Sequence, residues 1–183
     1  MGGNRLWWGG GSYSIGENPA PHVAHAGLAY LGEHKQPGPI ADFGTWEGRH
    51  LETLLSLGVE VVGTDVPEAN EVLEGARRRF PSVRFCSARL NDLPLRSGEL
   101  GGALCWRVLH NLTARRELVS ALAEINRVLT EGAPLVLAVR YERQTGEWSR
   151  RRAFVRTRPN GDGGSREDVY FTRGSLQLLA SLF

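Results

Sequence analysis

The regular alternation of short apolar strands with amphipathic helices is the feature that most constrains the fold of this 183-residue chain. Five segments are nearly continuous in apolar residues: PIADF, VEVVGTD, VRFCSA, LGGALCWRV and APLVLAVRY. Helical spacing occurs between them, as in the stripe formed by Leu118, Leu122, Ile125 and Leu129. Strands buried on both faces that alternate with such helices form βαβ units around a parallel sheet. The sequence therefore predicts a doubly wound α/β fold with helices on both faces.

We expect residues 1–183 to form a single domain, because this length supports one substantial core. Residues 1–37 are predicted to contain a loose Gly-rich and aromatic arm followed by a helix, and residues 38–141 contain the βαβ units. In residues 142–183, two strand-like segments flank the turn-rich PNGDGGSR and precede a short apolar helix. This last part predicts a hairpin and a C-terminal helix.

Composition excludes several classes of function. The net charge of +2 is too small to indicate a nucleic-acid partner. No apolar run reaches 18 residues and the start lacks a signal-peptide stretch, so we expect a cytoplasmic protein without a membrane partner. Cys86 and Cys105 lie in apolar strands and are predicted to be small buried residues. The histidines show no metal-ligand spacing with acidic residues, which predicts no metal site.

Polar and glycine residues gather where the first two strands end. Gly44 and Gly48 in ADFGTWEG allow the backbone to approach a ligand closely, next to the unpaired N–H groups of a helix start. Asp65 ends the second strand, where a carboxylate can accept hydrogen bonds from ribose hydroxyls. The spacing is not G-x-G-x-x-G, which disfavours a dinucleotide. Together these residues predict an adenosine-containing ligand.

Four motifs in order resemble the class I S-adenosylmethionine-dependent methyltransferases. DFGTWEGRH is similar to the D-x-G-x-G-x-G turn of that family, and VVGTD to its ribose-binding strand. ARLNDLPLRSGELGGALCWRVLHNL and EINRVLTEGAPLVLAVR resemble the family's later motifs, so that the likeness covers roughly residues 38–141. The resemblance implies a Rossmann-like methyltransferase fold with strand order 3-2-1-4-5. It also implies S-adenosylmethionine as cofactor and S-adenosylhomocysteine as product.

The resemblance also implies which residues surround the cofactor. They are Asp42, Gly44, Trp46 and Gly48 near the methionine part, Asp65 with Val66 at the ribose, Arg89 with Leu90 at the adenine, and Trp106 with Arg107 at the methionine moiety. On the acceptor side, His110 and Asn111 would face the substrate. His110 is either a general base, since an imidazole titrates near neutrality, or a residue that shapes the pocket.

Three positions depart from the family pattern, and we expect them to alter one pocket. Trp46 replaces the middle glycine and either forms a wall that attracts the sulfonium, blocks the pocket, or packs outward. Arg89 stands where the family has an acid, and a guanidinium offers no acceptor to the adenine amino group. Gly101 replaces an aspartate before the fourth strand.

The N-terminal arm offers a second set of substrate contacts. Trp8 and Tyr13, with Trp7, either fold over the site as a lid or pack on the domain surface or on a partner. The family sheet normally ends with two further strands, which here are shortened or replaced by the hairpin. A sheet edge left open would favour a homodimer.

The first hypothesis for function is therefore methyl transfer to a small molecule by in-line displacement. A second is a non-catalytic methyltransferase-like subunit that acts through a methyltransferase partner. A third is an S-adenosylmethionine-binding enzyme of different chemistry.

Overall fold

A six-stranded parallel sheet organises the chain. The computed structural model describes residues 6–8, 21–139, 153–159 and 165–171. The strands of the sheet are β1 (Leu6–Trp8), β2 (Ile40–Phe43), β3 (Val61–Asp65), β4 (Arg84–Ser87), β5 (Gly102–Trp106) and β6 (Leu135–Ala138). Their order is β1-β6-β5-β2-β3-β4, and every pairing is parallel. The predicted order 3-2-1-4-5 corresponds to β4-β3-β2-β5-β6 and is confirmed.

Helices cover both faces of the sheet, as the apolar runs predicted. The helices are α1 (Pro21–His34), α2 (Leu51–Leu55), α3 (Asn70–Arg79) and α4 (Arg115–Val128), with 3₁₀ turns at Pro67–Ala69 and Leu109–Asn111. Alternate residues of β5 face opposite sides: Cys105 packs in the cluster that contains Ile125 of α4. Trp106 packs with Leu31 of α1 and Leu54 of α2. Among the described helices, none has the length and apolar character needed to cross a bilayer.

The edge of the sheet beside β6 differs from the expectation. The N-terminal residues contribute β1, which pairs in parallel with β6 in the register Leu6↔Leu135 and Trp8↔Leu137. The predicted hairpin is present as β7 (Ala153–Pro159) and β8 (Ser165–Phe171), but these strands form a separate antiparallel sheet. The chain's own β1 therefore covers the edge that was expected to be open or closed by the hairpin. The argument for a homodimer from that edge is removed.

An arginine on α4 fixes the long connection between β4 and β5. The Arg127 guanidinium donates to the backbone carbonyls of Leu93 and Leu95 at 3.3 and 2.9 Å. Glu124 accepts from the Leu93 N–H at 2.9 Å and from Arg127 at 2.7 Å. Because these bonds hold both the amide and the carbonyls of the connection, they position the segment that follows the end of β4.

Candidate cofactor site

The glycine turn after β2 lies against the segment that follows β5. Gly44 and Gly48 have φ angles of 73° and 81°, in the left-handed region that favours glycine. The N–H groups of Gly44 and Thr45 donate to the Thr64 carbonyl at 2.8 and 2.9 Å, which ties the turn to β3. A Cβ atom at position 44 would lie 2.2 Å from Cγ2 of Val108. Only glycine fits at position 44 without displacement of Val108.

Trp46 occupies the turn with a glycine-like backbone. Its φ is 50°, a left-handed conformation that costs a non-glycine residue about 1–2 kcal/mol. Its N–H donates to Oδ2 of Asp65 at 2.8 Å. The residue is 44% exposed. The three interpretations of Trp46, a wall beside the ligand, a blocked pocket and outward packing, stay predictions.

The Asp65 carboxylate joins the turn to the end of β3. Oδ2 accepts from the Trp46 N–H, and Oδ1 accepts from the Val66 N–H at 2.8 Å. Because each carboxylate oxygen can accept two hydrogen bonds, both oxygens retain capacity for a ligand. Two neighbouring hydroxyls, such as those of a ribose, match this arrangement.

Asp42 is a buried carboxyl whose two oxygens differ in their hydrogen bonding. The residue is 1% exposed, and Oδ2 accepts from the Thr45 hydroxyl at 2.8 Å. Oδ1 has no hydrogen-bond partner among the described residues. Burial raises the pKa of Asp42 to about 7, and the nearby charge of Asp65 adds to this effect. A buried, unsatisfied acceptor fits the cationic or hydrogen-bond-donating part of a ligand.

Trp106 and His50 form the aromatic side of the same end of the sheet. Trp106 is 7% exposed, and its Nε1 has no hydrogen-bond partner among the described residues. The His50 ring lies 5.8 Å from the Trp106 ring at an angle of 58°. Burial, with the charge of Arg49, lowers the pKa of His50 to about 4, so the imidazole is neutral at physiological pH. Sequence reasoning missed His50, because it belongs to no motif and only precedes the first turn of α2.

The part of the predicted site that was assigned to the adenine contains an ion pair that the sequence did not reveal. Arg89, exposed after the end of β4, pairs with Glu68 of the first 3₁₀ turn. Leu90 is buried, and Val66 is half-buried beside Asp65. Glu68 lies only three residues after Asp65, but nothing in its spacing predicts the contact with Arg89.

The predicted acceptor residues lie near the carboxyl end of β5. Arg107 follows β5 with a φ of 61°, and its N–H donates to the Ala138 carbonyl at 2.7 Å. His110 is 3% exposed in the 3₁₀ turn, whereas Asn111 beside it is exposed. Strand β8 lies alongside this turn. The separate hairpin therefore borders the predicted acceptor side.

Two expectations about neighbouring positions have different outcomes. Trp8 ends β1, three strands away from β2, at the carboxyl edge of the sheet; Tyr13 lies outside the described residues. Gly101 precedes β5 at the opposite edge, where its N–H donates to the Pro39 carbonyl at 2.9 Å. The expectation that Gly101 alters the cofactor pocket is therefore wrong.

Within the part of the chain that the structure describes, no group of three His, Cys, Asp or Glu side chains could hold a metal ion.

Comparison with known proteins identifies related sequences. A family model described as a methyltransferase domain matches residues 40–132. The chain is 36% identical over 109 residues to an uncharacterised 37.1 kDa protein in transposon TN4556 of Streptomyces fradiae. That alignment covers 56% of this chain and 30% of the relative, so the chain spans less than a third of that protein.

Solved structures share the fold. The 1,6-didemethyltoxoflavin-N1-methyltransferase of Burkholderia thailandensis, solved with 1,6-didemethyltoxoflavin and S-adenosylhomocysteine, superposes with a TM-score of 0.63 at 23% identity. This match covers 87% of this chain and 65% of the other. A methyltransferase from Methanosarcina mazei gives a TM-score of 0.64 at 19% identity, with 82% and 81% covered. Since the family model matches more than half of its residues, the chain belongs to the methyltransferase domain family.

Proposed function

We propose that this protein binds S-adenosylmethionine and transfers its methyl group to a small-molecule acceptor. The observation that carries the proposal is the Asp65 carboxylate, held by two backbone N–H groups next to a glycine turn and still able to accept two hydroxyls. Membership of the methyltransferase domain family supports it. The Burkholderia thailandensis structure holds S-adenosylhomocysteine together with a small-molecule substrate on a similar fold, which also supports it.

Each part of the site fits one part of such a ligand. Asp65 would hold the ribose, with Val66 beside it, and the free oxygen of Asp42 would accept from the amino-acid part. Gly44 and Gly48 would keep the turn tight, because their left-handed φ angles and the close approach of Val108 at one and of Leu51 and Phe80 at the other leave no room for a Cβ atom. When bound, the cofactor supplies an electrophilic methyl group on a sulfonium. The chain's contribution would be to align donor and acceptor and to exclude water.

The acceptor would approach from the side of the turn that contains His110 and Asn111. This side of the site would place the acceptor atom in line with the methyl group that the bound cofactor would supply, with the cofactor sulfur as the leaving group. A proton on the acceptor then passes to a base or to water. His110 is our candidate for that base, although its burial fits a residue that shapes the pocket equally well. A homodimer, a partner subunit and a cytoplasmic location stay predictions from the sequence.

Calorimetric titration of the full chain with S-adenosylhomocysteine tests the proposal. We expect saturable binding that weakens at least about tenfold in Asp65→Ala, because charged acceptors of the ribose hydroxyls are lost. Glu71→Ala is the matched control, since it removes an exposed carboxylate from the first turn of α3, away from the glycine turn. Absence of binding to the unsubstituted protein at about millimolar ligand would overturn the proposal.

Trp46 offers a second test, in which stability and binding change in opposite directions. Trp46→Gly should stabilise the protein by roughly 0.5–1 kcal/mol, since relief of the left-handed strain exceeds the added chain entropy of glycine. If the indole forms a wall at the sulfonium, affinity for S-adenosylmethionine should fall about fivefold relative to S-adenosylhomocysteine, which lacks the charge. Thermal unfolding and calorimetry measure the two effects.

Trp46→Leu is the matched variant for this test. It keeps the strained backbone and removes the aromatic ring, so it should show the loss in affinity ratio without the gain in stability. An unchanged ratio of the two affinities in both variants would show that Trp46 packs outward.

A further inference from the structure

The ion pair between Glu68 and Arg89 joins the segments that follow β3, which Asp65 ends, and the neighbouring strand β4. Asp65 and Ser87 are paired in register at the ends of β3 and β4. The Ala88 N–H donates to the Asp65 carbonyl at 2.8 Å, so the chain that leads to Arg89 starts next to Asp65. Glu68 belongs to the 3₁₀ turn that follows β3. The side chains of Glu68 and Arg89 therefore meet where the neighbouring strands β3 and β4 end.

The order of the strands determines which part of a nucleoside reaches this pair. The glycine turn follows β2, on one side of Asp65, and β4 lies on the other side. A ligand whose ribose binds Asp65 and whose sulfur lies at the glycine turn must direct its base toward the end of β4. The buried Leu90 and half-buried Val66 lie there, and Glu68 and Arg89 contribute a carboxylate and a guanidinium that are paired with each other.

The chemistry of the pair matches the edge of adenine. Adenine presents an amino donor at C6 and an acceptor at N1, whereas a guanidinium offers donors only. The Glu68 carboxylate supplies the missing acceptor. Its own backbone N–H, together with Arg89, lowers its pKa, so it stays charged. More than half of the Glu68 side chain is exposed, which leaves it accessible to a ligand.

On this basis we propose that Glu68, oriented by Arg89, accepts the hydrogen bond from the adenine amino group and makes the site selective for adenosyl ligands over purine-riboside ligands that lack this amino group. The inference rests on the proposed function. It assigns to Glu68 the recognition that Arg89, at the position after β4, cannot provide by itself.

A comparison of S-adenosylhomocysteine with its purine-riboside analogue tests this, because the second ligand carries a hydrogen atom in place of the amino group and no N–H donor at N1. We expect the unsubstituted protein to bind the adenosyl ligand roughly fivefold to tenfold more tightly. In Glu68→Ala this ratio should fall to about one through weaker binding of the adenosyl ligand alone. Arg89→Ala should lower the ratio partially, because the carboxylate loses its orienting partner.

The controls separate recognition from structure. Glu71→Ala, an exposed carboxylate three residues further on, should leave the ratio unchanged. If Glu68 had a purely structural role, Glu68→Ala would weaken the binding of both ligands equally. The ratio of the two affinities would then be unaltered, and this result would overturn the inference. If the unsubstituted protein binds neither ligand, the proposed function itself fails.

Discussion

Replacement of Asp42 by asparagine is expected to stabilise the protein by about 4 kcal/mol at pH 8 and to leave its stability at pH 4 nearly unchanged. Burial raises the pKa of Asp42 from its ordinary value of 3.8 to about 7 in the folded protein. Each pH unit between the pKa values of the folded and unfolded states is worth about 1.4 kcal/mol. Urea denaturation of both proteins between pH 4 and pH 8 measures the effect.

The sign follows from where the proton is held. Well below its ordinary pKa of 3.8 the carboxyl is protonated in both states and carries no penalty. Between pH 4 and pH 7 it ionises in the unfolded chain but stays neutral in the folded one, so the free energy of unfolding falls as the pH rises. Asparagine cannot ionise, and it can still accept from the Thr45 hydroxyl. The variant therefore avoids the loss.

Because the pKa of His50 is also shifted, the unsubstituted protein and Asp42→Asn have to be compared with each other at each pH. The pKa of His50 is lowered from 6.5 to about 4, so its contribution to stability rises between pH 4 and pH 6.5, opposite to that of Asp42. The two effects partly cancel in the unsubstituted protein, whereas the difference from Asp42→Asn isolates the carboxyl. Thr45→Val removes the hydrogen bond that lowers the pKa of Asp42, so the loss should still begin near pH 4 but continue to higher pH. Parallel curves for the unsubstituted protein and Asp42→Asn would contradict the assignment.

A carboxyl that destabilises the fold at neutral pH is explained best by its function. Asp42 is buried with one oxygen unsatisfied, next to the glycine turn and Asp65. Active and binding sites commonly retain groups that lower stability, because the ligand supplies the missing partner. We therefore expect Asp42→Asn to gain stability while it weakens S-adenosylmethionine binding.

The sheet could be predicted because its strands are buried on both faces. Such strands appear as continuous apolar runs, and their alternation with helices leaves few possible topologies. Asp65 could be found for the same reason, since it ends one of these runs. The three residues of β1 gave no comparable signal: a strand of this length between Gly-rich segments shows no periodicity.

The side-chain contacts of the site depend on register, which the sequence did not reveal. Glu68 and Arg89 meet only because β3 and β4 end side by side, and His50 meets Trp106 only because α2 starts near the end of β5. The error at Gly101 has the same origin. Gly101 precedes β5 and Trp106 ends it, so a separation of five residues puts them at opposite edges of the sheet.

Gly44→Ala is expected to destabilise the protein by about 3 kcal/mol. The new Cβ would lie 2.2 Å from Cγ2 of Val108, a distance that forces one of the two segments to move. Val108 cannot rotate away freely, because a β-branched side chain has few χ1 alternatives and this one packs against the core. Overpacking costs about 1–3 kcal/mol, and the φ of 73° adds about 1 kcal/mol for alanine. Denaturant unfolding measures the sum.

Gly58→Ala separates the two contributions. Gly58 has a similar φ of 69° but nothing within 4 Å of its added Cβ, so this control should show only the backbone strain of about 1 kcal/mol. Val108→Ala combined with Gly44→Ala should recover the steric part, which a double-mutant cycle reports as a coupling of about 1–2 kcal/mol. Equal costs for Gly44→Ala and Gly58→Ala would show that Val108 does not press on the turn. A measured coupling would instead establish that the cofactor turn and the segment leading to His110 and Asn111 are packed as one unit. Displacement of Val108 in Gly44→Ala should then disturb the acceptor side as well as the cofactor side.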